Sequence, residues 1–66
     1  MNDLGRMNNE QLMREYLDMN RASFDRMFGM NAKRRLNACV DELLSRGITE
    51  IPSIFGTPIV VRKWEL

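Results

Sequence analysis

The residues LLSRGITEI, 43–51, decide how this chain is read. Upstream of Gly47, apolar residues recur at helical spacing, and all six methionines lie within residues 1–30. Downstream, all four isoleucines fall within residues 48–59, and Val60 and Val61 follow directly. Unbranched methionine tolerates helices, whereas β-branched residues favour strands. Gly47 suits a helix stop, because glycine adopts the left-handed conformation that ends helices. The chain is therefore expected to change from helix to strand at this point.

Beyond Gly47 the pattern predicts a β-hairpin, with strands over about 48–54 and 59–65. Gly56-Thr57 is the simplest turn, but Pro58 lacks the N–H needed to close it. A wider loop over about 53–58 is expected instead. Pro52 marks the first strand as an edge or bulged strand. Nothing equivalent guards Ile59, Val60 and Val61. A two-stranded sheet is marginal alone in water, so this one should lie on the helices or pair with something else.

Working back from Gly47, a second helix is predicted over 32–46. Asn31 caps it, and Ala32, Leu36, Cys39, Val40, Leu43 and Leu44 form its apolar stripe. The first helix is predicted over about 10–28, capped by Asn8 or Asn9 and stopped by Gly29. At ~100° per residue, Leu12, Met13, Tyr16, Leu17, Met19, Phe24, Met27 and Phe28 share half of its wheel. Asn20 points into that apolar half. It is either a hydrogen-bonded buried amide or a break that caps a separate short helix over 21–28. Gly29-Met30-Asn31 would then form a tight corner, and the two helices would pack as a hairpin. The expected fold class is α+β: a helical hairpin, with three helices if the first breaks near Asn20, followed by a C-terminal β-hairpin packed on it. One small domain is expected, with a flexible N-terminus over 1–8, a helical part over 9–47 and the hairpin over 48–66.

Composition narrows the function classes. Sixty-six residues make a small core, so oligomerisation or a partner is a natural expectation. Ten cations against nine carboxylates leave a net charge of +1, so any anion site must be a local cluster. There is no histidine and one cysteine. That removes histidine-based triads, the common zinc sets and an internal disulfide, and it fits a reducing compartment. No stretch is long and apolar enough to span a bilayer, and the first residues lack the apolar region of a secretory signal. A cytoplasmic protein without membrane contact, cofactor, metal or small-molecule substrate is expected. No motif places a catalytic residue, so no enzyme is expected.

Two features invite a functional reading. Lys33-Arg34-Arg35 would put three cations in the first turn of the second helix, where the macrodipole opposes them by a few tenths of a kcal/mol each. Free amides and cations together would suit an anion such as phosphate. The bland reading has them as solubilising residues lying on the edge of the stripe. The order helix, corner, second helix ending Leu43-Leu44-Ser45-Arg46-Gly47-Ile48, then hairpin, resembles the last two helices and wing of a winged-helix DNA-binding domain, over about residues 20–65. That resemblance implies that Asn31, Lys33, Arg34 and Asn37 face DNA and that Arg62 or Lys63 touches its backbone. Near-zero net charge and an uncharged wing tip depart from the family's pattern.

The second feature is the uncharged run of residues 51–61. Ile54 and Phe55 at its tip either fold back to complete the core or project as apolar anchors. With Val60 and Trp64 they make the expected partner-binding set. Trp64 is otherwise expected to pin the last strand to the helices, and Cys39 to be inert core. The primary expectation is therefore a small non-enzymatic module that binds a protein partner, or itself, through the hairpin. Nucleic-acid binding through the second helix is the alternative. A structural subunit of a larger assembly, such as a virion, is a further one.

Overall fold

The computed structural model describes residues 3–27, 29–53 and 56–65. Along the chain it has a 3-10 helix, Asp3–Arg6, then α1, Asn9–Ala22, and α2, Gly29–Ser45. Two short strands follow, β1, Glu50–Ile51, and β2, Ile59–Val60. The helices pack on each other as a hairpin and the strands pair antiparallel, so the chain is α+β as the residue pattern predicts.

Each helix end has a local cause. The Asn8 side chain accepts the Gln11 N–H at 2.8 Å, and the Gln11 side chain accepts the Asn8 N–H at 3.0 Å. This reciprocal cap starts α1 and satisfies two otherwise unpaired donors. At the far end of α2, Gly47 has a φ of 78°. Its N–H bonds the Leu44 carbonyl, and the Ile48 N–H reaches back to the Leu43 carbonyl at 2.9 Å. That double closure is a Schellman stop, and it turns the chain toward β1.

The corner between the helices differs from expectation. The first helix ends at Ala22, not near Phe28, and it does not resume as a second short helix. The Ser23 hydroxyl donates to the Asn20 carbonyl at 2.6 Å, and an Asp25 carboxylate oxygen accepts the Met27 N–H at 2.8 Å. Ser23 and Asp25 thus offer the backbone alternatives to helix. Gly29 is not the stop of α1 but the first residue of α2. A Cβ there would lie 2.8 Å from the Ser23 carbonyl oxygen, so the two helix ends meet because residue 29 has no side chain.

Starting α2 three residues early moves Lys33, Arg34 and Arg35 out of its first turn. The opening turn holds Gly29, Met30, Asn31 and Ala32, with no charge. The conflict with the macrodipole disappears, because that effect fades beyond the first turn.

The core draws on the 3-10 helix, both α-helices, β1 and Val61 just past β2. Leu4, Leu12, Tyr16, Leu36, Cys39, Val40, Leu43, Ile51 and Val61 form one buried cluster. Burying each large aliphatic side chain contributes about 1.5–3 kcal/mol. Leu44, expected in the stripe, is 47% exposed, because Leu43 takes the inward position beside it. Residues 3–6, read from sequence as part of a flexible terminus, form the 3-10 helix and bury Leu4. Arg35 holds Asp3 through two bonds of 2.9 and 2.8 Å. Arg46 donates to the Leu4 and Gly5 carbonyls, to Asn9 and to Glu42. Neither arginine has a sequence signal for this, since their partners lie more than thirty residues away apart from Glu15 and Glu42.

The strands are shorter than predicted. Glu50 faces Val60 and Ile51 faces Ile59, and one further bond joins the Val61 N–H to the Thr49 carbonyl at 3.0 Å. β1 ends at Ile51, and Pro52 follows at a position whose backbone groups face away from β2. Residues 52–58 therefore connect the strands, a loop wider than two residues, as Pro58 requires.

Candidate interaction surface

The geometry of the last strand begins with its register. The bond between Val61 and Thr49 points inward across the hairpin. Alternation then turns the backbone groups of Val60, Arg62 and Trp64 to the outer edge. Side chains from the helices meet all three. The Tyr16 hydroxyl donates to the Val60 carbonyl and accepts the Arg62 N–H, both at 3.5 Å, long contacts that are individually weak. The Asn37 amide accepts the Trp64 N–H at 2.7 Å and donates to the Trp64 carbonyl at 3.1 Å. The edge expected to be unprotected is partly covered: the Val60 carbonyl, the Arg62 N–H and both Trp64 backbone groups are engaged, which leaves strand addition at β2 only the Val60 N–H and the Arg62 carbonyl over this stretch. Sequence reading missed this because a tyrosine and an asparagine at helical spacing give no hint of a strand edge.

Anchored this way, Trp64 is half-buried and becomes the hub of a surface cluster. The Phe24 ring meets it edge to face, with centroids 5.7 Å apart and planes at 82°. The Lys33 ammonium lies 4.9 Å from its ring centroid. Both contacts are favourable for an electron-rich ring face.

The corner and the first turn of α2 expose apolar side chains. Phe24 is 73% exposed, Met27 84% and Met30 54%. Sequence spacing placed Phe24 and Met27 in the core. They lie outside because α1 ends before reaching them. Ser23, Asp25 and Gly29 each disfavour helix, and Asn20 interrupts the apolar face before them, but the contacts through which they end α1 do not show in spacing.

The expected site residues are distributed as follows. Ile54 and Phe55 lie outside the described residues. Val60 is 48% exposed, and Trp64 belongs to the cluster above. Of the residues matched to a winged helix, Asn31, Arg34 and Arg62 are exposed. Asn37 is engaged by the Trp64 backbone, Lys33 lies over the Trp64 ring, and Lys63 pairs with Asp41 at 2.6 Å. Arg35 turns the other way, to Asp3 and Glu15. The basic run is thus split between two faces.

Chemistry elsewhere is sparse. An open depression of about 320 Å³ is lined by Ala38, Asp41, Glu42 and Ser45. Its two carboxylates are held by Lys63 and Arg46. Among the described residues no group of three or more Cys, Asp or Glu side chains could hold a metal ion. Cys39 is buried, and that burial pushes its thiol up to about 11, away from reactive thiolate. Among the described residues no helix is long and apolar enough to cross a membrane. The chain matches no known protein family, no curated protein and no solved structure.

Proposed function

We propose that this protein is a small non-enzymatic binding or assembly module whose contact surface is the corner between α1 and α2 together with Trp64. The observation that carries this reading is the exposure of Phe24 and Met27 at a corner where Phe24 meets a tryptophan whose backbone is held by Asn37. Apolar side chains this exposed gain free energy by being covered. Aromatic anchors on a rigid support lose little entropy when that happens. The expected contribution of the hairpin is kept in Trp64 and Val60, while strand addition at β2 is disfavoured, because Tyr16 and Asn37 engage part of that edge.

The test places a photo-activatable cross-linker at Met27 and, as control, at Arg14 on the exposed face of α1, in cells that make the protein. Adducts to a protein, or to a second copy, from position 27 alone are expected, and they should vanish with Phe24→Asp. Equal adducts at both positions, or none at 27, would end the proposal. A mobility shift with nucleic acid that depends on Arg34 and Arg62 but not on Phe24 would favour the nucleic-acid reading instead.

A further inference from the structure

We infer that the corner recognises an acidic, amphipathic segment of another protein, which sets apolar side chains on Phe24, Met27 and Met30 and carboxylates against Arg26, Lys33 and Arg34. This rests on the binding reading above and names the chemistry of the partner.

Charge complementarity points to that occupant. Between Asp18 and Asp41 the chain has one carboxylate, Asp25, and five cations, Arg21, Arg26, Lys33, Arg34 and Arg35. Only Arg35 is neutralised, by Asp3 and Glu15. The other four form no ion pair among the described residues. A protein of net charge +1 therefore concentrates unpaired positive charge in the segment that also exposes three large apolar side chains. The two kinds of residue interleave: Phe24, Arg26, Met27, Met30, Lys33, Arg34. Discrete cations between apolar contacts suit discrete carboxylates between apolar anchors, and they suit a continuous polyphosphate less well. Methionines adapt to differently shaped side chains at such a surface. Lys33 already lies over Trp64, so its ammonium is positioned at the rim where a carboxylate would arrive.

A second copy of this chain is poorly matched to the site. Asp3, Glu15, Asp41 and Glu42 are all held in ion pairs. The apolar side chains nearest Glu15 and Asp18 on α1, Tyr16, Leu17 and Met19, belong to the core or pack against it. On the hairpin, Glu50 is exposed and faces the exposed Val60, but that offers one large apolar side chain against the three that the corner presents.

The test is selection from a random peptide library against the whole protein, with Phe24→Asp and the double variant Arg26→Glu, Arg34→Glu as parallel baits. All three positions are exposed, and circular dichroism confirms that each bait is folded. Wild-type protein is expected to enrich sequences that combine Asp or Glu with Leu, Phe or Trp. A resynthesised winner should bind at least about tenfold more weakly to either variant, and more weakly as salt rises. Enrichment of basic or uncharged peptides that still need Phe24 would overturn the acidic partner and leave the binding module standing. No enrichment dependent on Phe24 would overturn both. Vesicles containing phosphatidylserine, or a DNA duplex, that bound the corner more tightly than the best peptide would also overturn the inference.

Discussion

The amide of Asn37 stands where a neighbouring strand would stand beside Trp64, taking its N–H at 2.7 Å and giving to its carbonyl at 3.1 Å. A single helical side chain thereby ends the sheet and fixes the only tryptophan on the surface of α2. Replacing Asn37 by Ala removes both bonds and should cost about 1–3 kcal/mol. Asn37→Asp should also destabilise, because it sets a carboxylate against the Trp64 carbonyl. Urea unfolding measures the cost, and acrylamide quenching of Trp64 emission should rise in the folded variants. Unchanged quenching would show that the strand is held by other contacts.

Gly29 is required by its contact with Ser23. In an open helix, glycine to alanine stabilises by about 1 kcal/mol. Here the added carbon would lie 2.8 Å from a backbone oxygen, which cannot swing aside as a side chain can. Gly29→Ala is therefore expected to lose about 1–3 kcal/mol net. A variant that melts higher than the parent would refute this account of the corner.

Leu43 and Leu44 are neighbours in sequence with opposite fates. Leu43 is fully buried in the core, and Leu44 is half-exposed. Leu43→Ala should cost about 2–5 kcal/mol, and Leu44→Ala no more than about 0.5 kcal/mol. Thermal or urea denaturation of the pair tests the rotation of α2, and comparable losses would mean that it is rotated.

The N-terminal 3-10 helix should loosen in acid. The hydrogen bonds from Arg35 hold the Asp3 carboxyl below its ordinary value of 3.8; they outweigh an opposing desolvation, and the guanidinium charge adds a lesser lowering. A carboxylate with a lowered value stabilises the fold above its unfolded value, and the contribution is lost as pH falls through the folded one. Amide exchange over residues 3–6 should therefore accelerate on acidification, while Asp3→Asn should be loose at all pH values. An Asp3 carboxyl titrating at or above 3.8 would contradict the pairing.

The local signals were legible where one residue type carries one physical role. Gly47 ended α2 because its backbone can take a φ of 78°, and Pro58 excluded the two-residue turn because it lacks an N–H. The stripe from Ala32 through Leu36, Cys39, Val40 and Leu43 was readable from spacing alone. The corner was not, because Ser23, Asp25 and Gly29 act together through contacts that spacing does not encode.

By itself, then, the sequence determined the α+β class, the change at Gly47, the buried face of α2 and the absence of histidine chemistry. Those follow from covalent properties of single residues and from periodicity. Only the tertiary structure decided where α1 ends, which basic residues stay unpaired, and that Tyr16 and Asn37 engage the last strand. These depend on groups up to 46 residues apart meeting in space, and a hydrogen bond or ion pair between such groups leaves no periodic trace in the chain. Because Gly29 can press against the Ser23 carbonyl, Phe24 and Met27 lie outside the core and the corner became the protein's candidate interaction surface.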